Sequence, residues 1–275
     1  VTAPGPGSGK MAVCLSQLYN EHVRGNQAGY AKFETFPVWN LPLKHPINMA
    51  YEAATADLND VNMIDPYHLE AYGKTAVSYN RDTEIFPVLD ALFTGIYGHN
   101  PYKSPTDMGV NMVGFCIDDD AACCEASKQE IIRRYYHALN DFANGDISES
   151  VVNRIARLFK QVGISTADRR TTVAANERKE RNNAMAVAAI ELHDGHIITA
   201  EASDLLGSSA ALLLNATKYL AGIDHAIKLI PQEMIEPIQH TKISYLRGRN
   251  PRLHTDEVLV ALSVLSLHDE NCRKT

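Results

Sequence analysis

The chain has 275 residues, of which 45% are hydrophobic, and it carries a formal net charge of −7 at pH 7. A chain of this length can bury a substantial core and can form roughly one to three domains. The negative charge excludes a general attraction to nucleic acid or to anionic lipid, although a local basic pocket stays compatible with it.

Cysteine usage and hydropathy indicate where the protein resides. The five cysteines are an odd number, two of them are adjacent, and no pair has the Cys-x-x-Cys spacing, which is typical of reduced thiols. No apolar run approaches the roughly 18 residues that a membrane span needs, and no charged-then-apolar leader opens the chain. We therefore expect a cytoplasmic protein with neither a membrane nor a nucleic-acid partner.

A Gly-rich segment at residues 1–10 leads into a helix that apolar periodicity predicts over residues 11–22. Glycine lets backbone N–H groups turn towards an anion, and the N-terminus of the helix adds a partial positive charge. The lysine that ends the segment would supply a point charge. The sequence therefore predicts a site for a small phosphorylated ligand or a nucleotide, formed by Gly5, Gly7, Ser8, Gly9 and Lys10.

The segment departs from the phosphate loop G-x-x-x-x-G-K-[ST] at two positions. Pro4 stands where the first glycine belongs, and Met11 replaces the hydroxyl residue that would hold magnesium. These departures weaken the case for Mg²⁺ as a cofactor, and a tight strand-to-helix turn is the structural alternative. Since so few residues precede the segment and no initiator Met is present, we expect a feeding strand upstream and further sequence beyond residue 275.

Residues 46–165 are predicted to be mainly helical. A strand is predicted over residues 29–39 from its aromatic residues, and a mixed region over 61–72 is broken at Pro66. Pro87 is placed in the first turn of a helix, a position that tolerates the missing N–H. Residues 102–115 are predicted to be a site loop, and the predicted helices cover residues 47–59, 86–97, 120–144 and 148–163.

The remaining residues follow a polar patch at 163–170 and change in character. Two strands over 185–192 and 196–202 are joined by Asp194 and Gly195, a strong hairpin signal. Further helices are predicted over 203–222, 231–245 and 255–267. The tyrosine- and leucine-rich helices fit a domain core or a subunit interface equally well, which leaves homo-oligomer formation open.

Two groups of residues are candidates for chemistry. Asp57 and Asp60 could hold a metal ion near a phosphate, Asp65 lies in the same acidic stretch, and capping of a helix end by these residues is the alternative. Asp107 and Asn111 could orient a substrate, although turn formation explains both residues. No His-Glu-x-x-His motif and no Cys/His cluster at zinc spacing is present, so we expect no structural zinc site.

A basic cluster over residues 247–256 is a further candidate for chemistry. Arg252 could bind a phosphate or carboxylate bidentately, and His254 beside Asp256 could act as an acid or base. In the alternative interpretation, Thr255 or Asp256 is an ordinary N-cap and the arginines are solvated.

The chain resembles the bacterial family known as domain of unknown function 1846. The strings that carry the resemblance are residues 1–10, 28–37, 53–60, 104–112 and 250–258. The resemblance is to the central and later part of a longer chain, and it implies that Pro4 and Met11 belong to the family's own loop. It implies an α/β protein with a helical insertion: a partial nucleotide-fold-like α/β part at 1–45, a helical domain at 46–165 and a smaller α+β part at 166–275.

The family has no settled reaction to transfer, so the functional expectation rests on the residues. We expect an enzyme that binds a phosphorylated ligand at the Gly-rich loop and carries out phosphoryl transfer or hydrolysis, with Asp60, Asp107 and His254 as catalytic candidates and Arg252 as an anion clamp. One alternative is a non-catalytic anion sensor or structural module. Another is metal-independent chemistry at His254 and Asp256.

Overall fold

The computed structural model describes residues 1–2, 7–33, 36–111 and 113–275. Two compact units divide the chain, the first formed by residues 1–165 and the second by residues 166–275. The fold is mixed α/β and mostly helical, as predicted. The described strands pair only two at a time, so they do not confirm a nucleotide-type sheet.

The first unit is built from seven α-helices and four short strands among its described residues. The helices are α1 (Lys10–Val23), α2 (Pro46–Ala54), α3 (Pro66–Tyr72), α4 (Asn80–Tyr97), α5 (Pro105–Met108), α6 (Asp120–Asn144) and α7 (Glu149–Val162). The strands are β1 (Lys32–Phe33), β2 (Asn62–Ile64), β3 (Val77–Tyr79) and β4 (Gly109–Val110). Short 3-10 turns cover Ala56–Leu58 and Val113–Phe115.

Three helices of this unit begin in the same way. Each has proline in its first turn, where the missing N–H costs nothing, and a polar residue immediately before it accepts a backbone N–H. These N-caps are His45 for α2, Asp65 for α3 and Ser104 for α5. Pro66 was expected to break the chain, whereas it begins a helix.

Two apolar clusters hold the first unit together. One joins α2, α6 and α7 through buried residues that include Met49, Ile131 and Leu158. The other packs α1 against α4 through Leu18 and Phe93. The long helices α6 and α7 end at Gly145 and Gly163, both with positive φ, as their sequence predicts. The core of this unit is therefore mostly contact between helices.

Proline changes one predicted boundary. The helix predicted over 86–97 begins at Asn80, so Pro87 lies inside α4 and not in its first turn. The strand predicted over 29–39 is reduced to β1, and residues 34 and 35 lie outside the described part of the chain. β1 pairs in parallel with β4, and β2 pairs antiparallel with β3.

The second unit places a hairpin among helices. Strands β5 (Val187–Glu191) and β6 (Ile197–Glu201) pair antiparallel around the Asp194-Gly195 turn, which confirms the predicted hairpin. The helices are α8 (Arg170–Asn182), α9 (Ser208–Leu220), α10 (Gln232–His240), α11 (Thr255–Leu265) and α12 (Glu270–Lys274), and a short π-helix covers Thr241–Tyr245. Helices α8 and α12 were not predicted.

The core of the second unit forms between α9, α10 and α11. Leu214, Ile235 and Val258 are buried there, and Leu253 has no exposed surface. Among the described residues of the chain, none of the helices is both long and apolar enough to cross a lipid bilayer.

Candidate functional site

The end of the Gly-rich loop forms the N-terminus of α1. Gly9 is the N-cap with φ 82°, and Gly7 has φ 73°, so both use the left-handed backbone that glycine favours. Gly9 has no side chain that could accept from the first-turn N–H groups. Lys10 begins the helix, and its Nζ donates to Ser8 Oγ at 3.1 Å. The predicted loop residues Pro4 and Gly5 lie outside the described part of the chain.

This helix terminus is electropositive. The first turn of α1 contains no acidic residue, and the aligned peptide dipoles place about half a positive charge at the N-terminus. Gly7, Ser8 and Gly9 are exposed, while Lys10 is half-buried. Backbone N–H groups at such a terminus, together with an ammonium group, form the usual donor set for a phosphate.

The predicted metal-binding aspartates have different surroundings. Asp60 is buried, and its carboxylate forms a two-point ion pair with Arg81, at 2.5 Å from Nε to Oδ1 and 2.7 Å from Nη2 to Oδ2. The hydrogen bond to Asp60 raises the pKa of Arg81. Asp57 is exposed in a 3-10 turn. Among the described residues, neither aspartate belongs to a group of three or more metal-ligand side chains.

Asp107 lies in a network around the start of α5. Its Oδ2 accepts a hydrogen bond from Tyr72 at 2.9 Å and one from the backbone N–H of Lys103 at 2.8 Å. The bond to Asp107 raises the pKa of Tyr72. Asn111, the other candidate of this loop, donates to Pro37 O at 2.8 Å. Both side chains therefore tie the loop to its neighbours.

The same network contains the residue types of a hydrolytic triad. Ser104 Oγ lies 3.0 Å from His68 Nδ1, and Asp107 Oδ1 lies 3.8 Å from the same nitrogen. A triad uses opposite nitrogens of the imidazole for Ser and Asp, whereas both residues here approach Nδ1. Ser104 is also fully buried and caps α5. The arrangement is therefore structural and lacks an accessible nucleophile.

The candidates of the basic cluster belong to the second unit. Arg252 Nε donates to Ser203 O at 2.5 Å, which holds the loop after the hairpin. His254 is the N-cap of α11, in a capping box with Glu257, so neither Thr255 nor Asp256 is the cap. Lys242 Nζ donates to Glu257 at 2.8 Å. His254, Asp256 and Glu257 place ligand atoms within 4.8 Å of one another at a largely exposed helix start.

The second unit also contains an open cavity of about 220 Å³ that the sequence did not indicate. Leucine and isoleucine side chains from α9, from α10 and from the segments just before these helices form much of its lining. Lys218 also lines the cavity, is buried, and donates to His225 O at 2.8 Å and Ile227 O at 3.2 Å. Burial lowers the pKa of Lys218. Hydrophobic periodicity could place this lysine on α9, but it could not show that the residue is buried.

The sequence also offered no indication of a group of three potential metal ligands in the first unit, formed by His45, Asp120 and Cys124. His45 comes from the start of α2, whereas Asp120 and Cys124 lie in α6. A spacing criterion cannot find such a group because 75 residues separate His45 from Asp120.

Comparison with known proteins places the chain in a family. The model described as "Domain of unknown function DUF1846, N-terminal" matches residues 1–163, and the C-terminal model of that name matches residues 167–275. The chain is 61% identical to UPF0371 protein cu0538 of Corynebacterium urealyticum, over 99% of this chain and 55% of that protein. It is 57% identical to UPF0371 protein str1377 of Streptococcus thermophilus, over 100% of this chain and 55% of that protein.

These matches run from end to end of the chain, which itself spans about half the length of the curated relatives. The resemblance carried by the five strings is thereby confirmed along the whole chain. The chain belongs to the DUF1846 family.

Proposed function

We propose that the chain binds a small phosphorylated molecule, such as a nucleotide or a sugar phosphate, at the N-terminus of α1. The main support for this proposal is that a glycine N-cap, Gly9, stands directly before Lys10 at an exposed helix start. An ordinary capping residue such as Ser or Asp would occupy the first-turn N–H groups with its own oxygen. A glycine cap keeps that space open to an external anion.

In the catalytic form of the proposal, the protein is an enzyme that transfers a phosphoryl group from this ligand or hydrolyses it. Lys10 would neutralise charge that develops on the transferred group. The contacts of Asp60 and Asp107 favour roles in the fold, and the side chain of Met11 offers no oxygen for magnesium. The chemistry would therefore need groups other than a loop-bound Mg²⁺. A non-catalytic anion sensor is the alternative, and it shares the same binding site.

The test is a thermal-shift series on the 275-residue chain. Inorganic phosphate, ATP, GTP and sugar phosphates are added with and without magnesium to the wild type, Lys10→Ala, Ala12→Glu and Ala12→Gln. Ala12 is exposed in the first turn of α1, so glutamate there places a carboxylate beside the proposed anion. The glutamine variant has the same size without the charge and serves as the matched control.

For a ligand at about 100 times its Kd we expect a rise of roughly 5–10 °C in the wild type and in Ala12→Gln. Lys10→Ala and Ala12→Glu should lose most of this shift. The proposal is contradicted if no phosphorylated ligand shifts the wild type, or if Ala12→Glu responds as Ala12→Gln does. Loss of the phosphoryl group from the ligand that binds, either to water as inorganic phosphate or to an added acceptor, then separates the enzyme from the sensor.

A further inference from the structure

Three side chains of different chemistry meet where α2 and α6 begin. His45 Nε2 lies 3.0 Å from Asp120 Oδ1, Cys124 Sγ lies 3.6 Å from His45 Nε2, and the same sulfur lies 3.6 Å from Asp120 Oδ2. We name this group the three-donor cluster. It unites a nitrogen, an oxygen and a sulfur donor from segments that are distant in sequence.

The two helices hold these side chains in place. His45 is the N-cap of α2, and Asp120 and Cys124 are four residues apart near the start of α6, so they share one face of that helix. Met49 and Ala53 of α2 pack in the same buried cluster as Ile131 and Ala138 of α6. The approach of the donors thus follows from packing of the core, and not from the mobility of a surface loop.

The distances between donors agree with a tetrahedral metal centre. Zinc lies about 2.0–2.1 Å from histidine nitrogen, about 2.0–2.2 Å from carboxylate oxygen and about 2.3 Å from cysteine sulfur, and tetrahedral angles then separate the donors by about 3.3–3.7 Å. Both contacts of Cys124 measure 3.6 Å, which lies within this range. The contact between His45 and Asp120 is shorter, at 3.0 Å, and it uses Oδ1, whereas Cys124 contacts Oδ2. A small rotation of the exposed Asp120 would lengthen it and would let one of the two oxygens serve as the ligand.

We propose that His45 Nε2, a carboxylate oxygen of Asp120 and Cys124 Sγ bind a zinc ion in this cluster, with a fourth position left for water or another ligand. A thiolate beside an imidazole favours a borderline-soft cation over magnesium or calcium, which prefer oxygen donors alone. Three protein ligands with one open position are the pattern of zinc sites that exchange their fourth ligand.

Binding requires two changes in protonation. Burial and the charge of Asp120 raise the pKa of the Cys124 thiol, so the metal-free cysteine carries its proton. Zinc takes the thiolate form, and the thiol proton is released to solvent. His45 Nδ1 accepts from the N–H of Ile47 at 3.3 Å. With Nε2 on the metal, the ring proton moves to Nδ1, and this long capping bond is lost.

A plain ion pair between His45 and Asp120 is the competing explanation. It accounts for the 3.0 Å contact and for the capping role of His45. It gives no role to Cys124, whose sulfur stands within 3.6 Å of both partners. The neighbouring Cys123 belongs to no ligand group among the described residues, so it provides an internal comparison.

The experiment measures binding of Co²⁺ and Zn²⁺ to the reduced full chain. Cobalt reports a thiolate ligand through its charge-transfer absorption, and zinc affinity is measured by competition with a chelating dye. The variants are Cys124→Ser, Cys123→Ser as the matched control, and His45→Asn. Asparagine is a good N-cap, so the last variant removes the imidazole and keeps a residue that can cap α2. Circular dichroism in the presence of a chelator checks that each variant folds.

We expect one equivalent of cobalt with a thiolate absorption band in the wild type and in Cys123→Ser. Cys124→Ser should lose the band, and both Cys124→Ser and His45→Asn should bind zinc at least tenfold more weakly. Absence of the band in the wild type would show an ion pair without a metal and overturn the proposal. Equal losses in Cys123→Ser and Cys124→Ser would overturn it as well.

Discussion

The buried carboxylate of Asp65 accepts two hydrogen bonds from Thr106, one from the backbone N–H at 3.1 Å and one from the hydroxyl at 2.6 Å. Its other oxygen accepts the N–H groups of Tyr67 and His68 at the start of α3. A single side chain therefore satisfies four donors and joins α3 to α5. This contact shows that the acidic stretch contains a structural residue as well as the candidates for chemistry.

We expect Asp65→Ala to lower the free energy of unfolding by about 2–4 kcal/mol, because it leaves several donors without their acceptor. Urea denaturation followed by circular dichroism measures the change. Asp57→Ala is the control, and since Asp57 is exposed its effect should stay within about 0.5 kcal/mol. Equal effects of the two substitutions would show that burial of Asp65 does not matter.

Removing one partner of the ion pair between Asp60 and Arg81 should lower the free energy of unfolding more than replacing both partners by apolar residues does. Arg81→Met leaves the buried carboxylate of Asp60 without its partner, and we expect a loss of about 3–5 kcal/mol. Combining it with Asp60→Leu removes the stranded charge and should recover a large part of that loss. A double-mutant cycle in urea measures the coupling, and simple additivity of the two substitutions would contradict the prediction.

Glu130 on α6 should titrate with a pKa of about 2, chiefly because Arg133 bonds its carboxylate, with a further bond from Arg134. The folded pKa lies below the unfolded one. Ionised Glu130 therefore stabilises the fold at pH values above its unfolded-state pKa of about 4.3, and this stabilisation is lost as the pH falls towards 2. Carbon-13 NMR titration measures this pKa. Arg133→Gln should raise it more than Arg134→Gln does.

Replacing either of two glycines by alanine should change the free energy of unfolding, in opposite directions for the two positions. Gly9 has φ 82°, so Gly9→Ala should lower the free energy of unfolding by about 1–2 kcal/mol through backbone strain. Gly95 lies exposed inside α4 with open space around it, and Gly95→Ala should raise stability by about 0.4–1 kcal/mol. Thermal and urea unfolding distinguish the two. A stabilising Gly9→Ala would show that the loop tolerates another conformation.

Local signals predicted much of the fold. The bounds of α6 and α7 follow from Asp119 and Ser148 before them and from a glycine after each, and the hairpin follows from its Asp-Gly turn. Helix α8 was missed because it has no buried residue and so shows no clear apolar face. Ion pairs from Arg170 to Glu191 and from Arg178 to Glu201 tie it to the hairpin, and local periodicity cannot reveal such pairs.

The candidate site was harder to predict than the fold. A helix with a glycine-rich start could be identified from residues 7–23, because all of its parts are consecutive. The partners of the acidic residues could not, since Arg81 follows Asp60 by 21 residues and Thr106 follows Asp65 by 41. Side chains that tertiary packing brings together leave no spacing in the sequence to recognise.

Parallel pairing of β1 with β4 has a consequence for how the first unit is synthesised. Tyr30 N–H donates to Tyr102 Oη, and Asn111 donates to Pro37 O, across 72 and 74 residues. At about 5–20 residues per second, a ribosome needs roughly 4–15 seconds to add the later partners after the earlier ones. During that interval Tyr30 and Pro37 lack these native partners, so the described residues on either side of β1 stay accessible to chaperones and proteases.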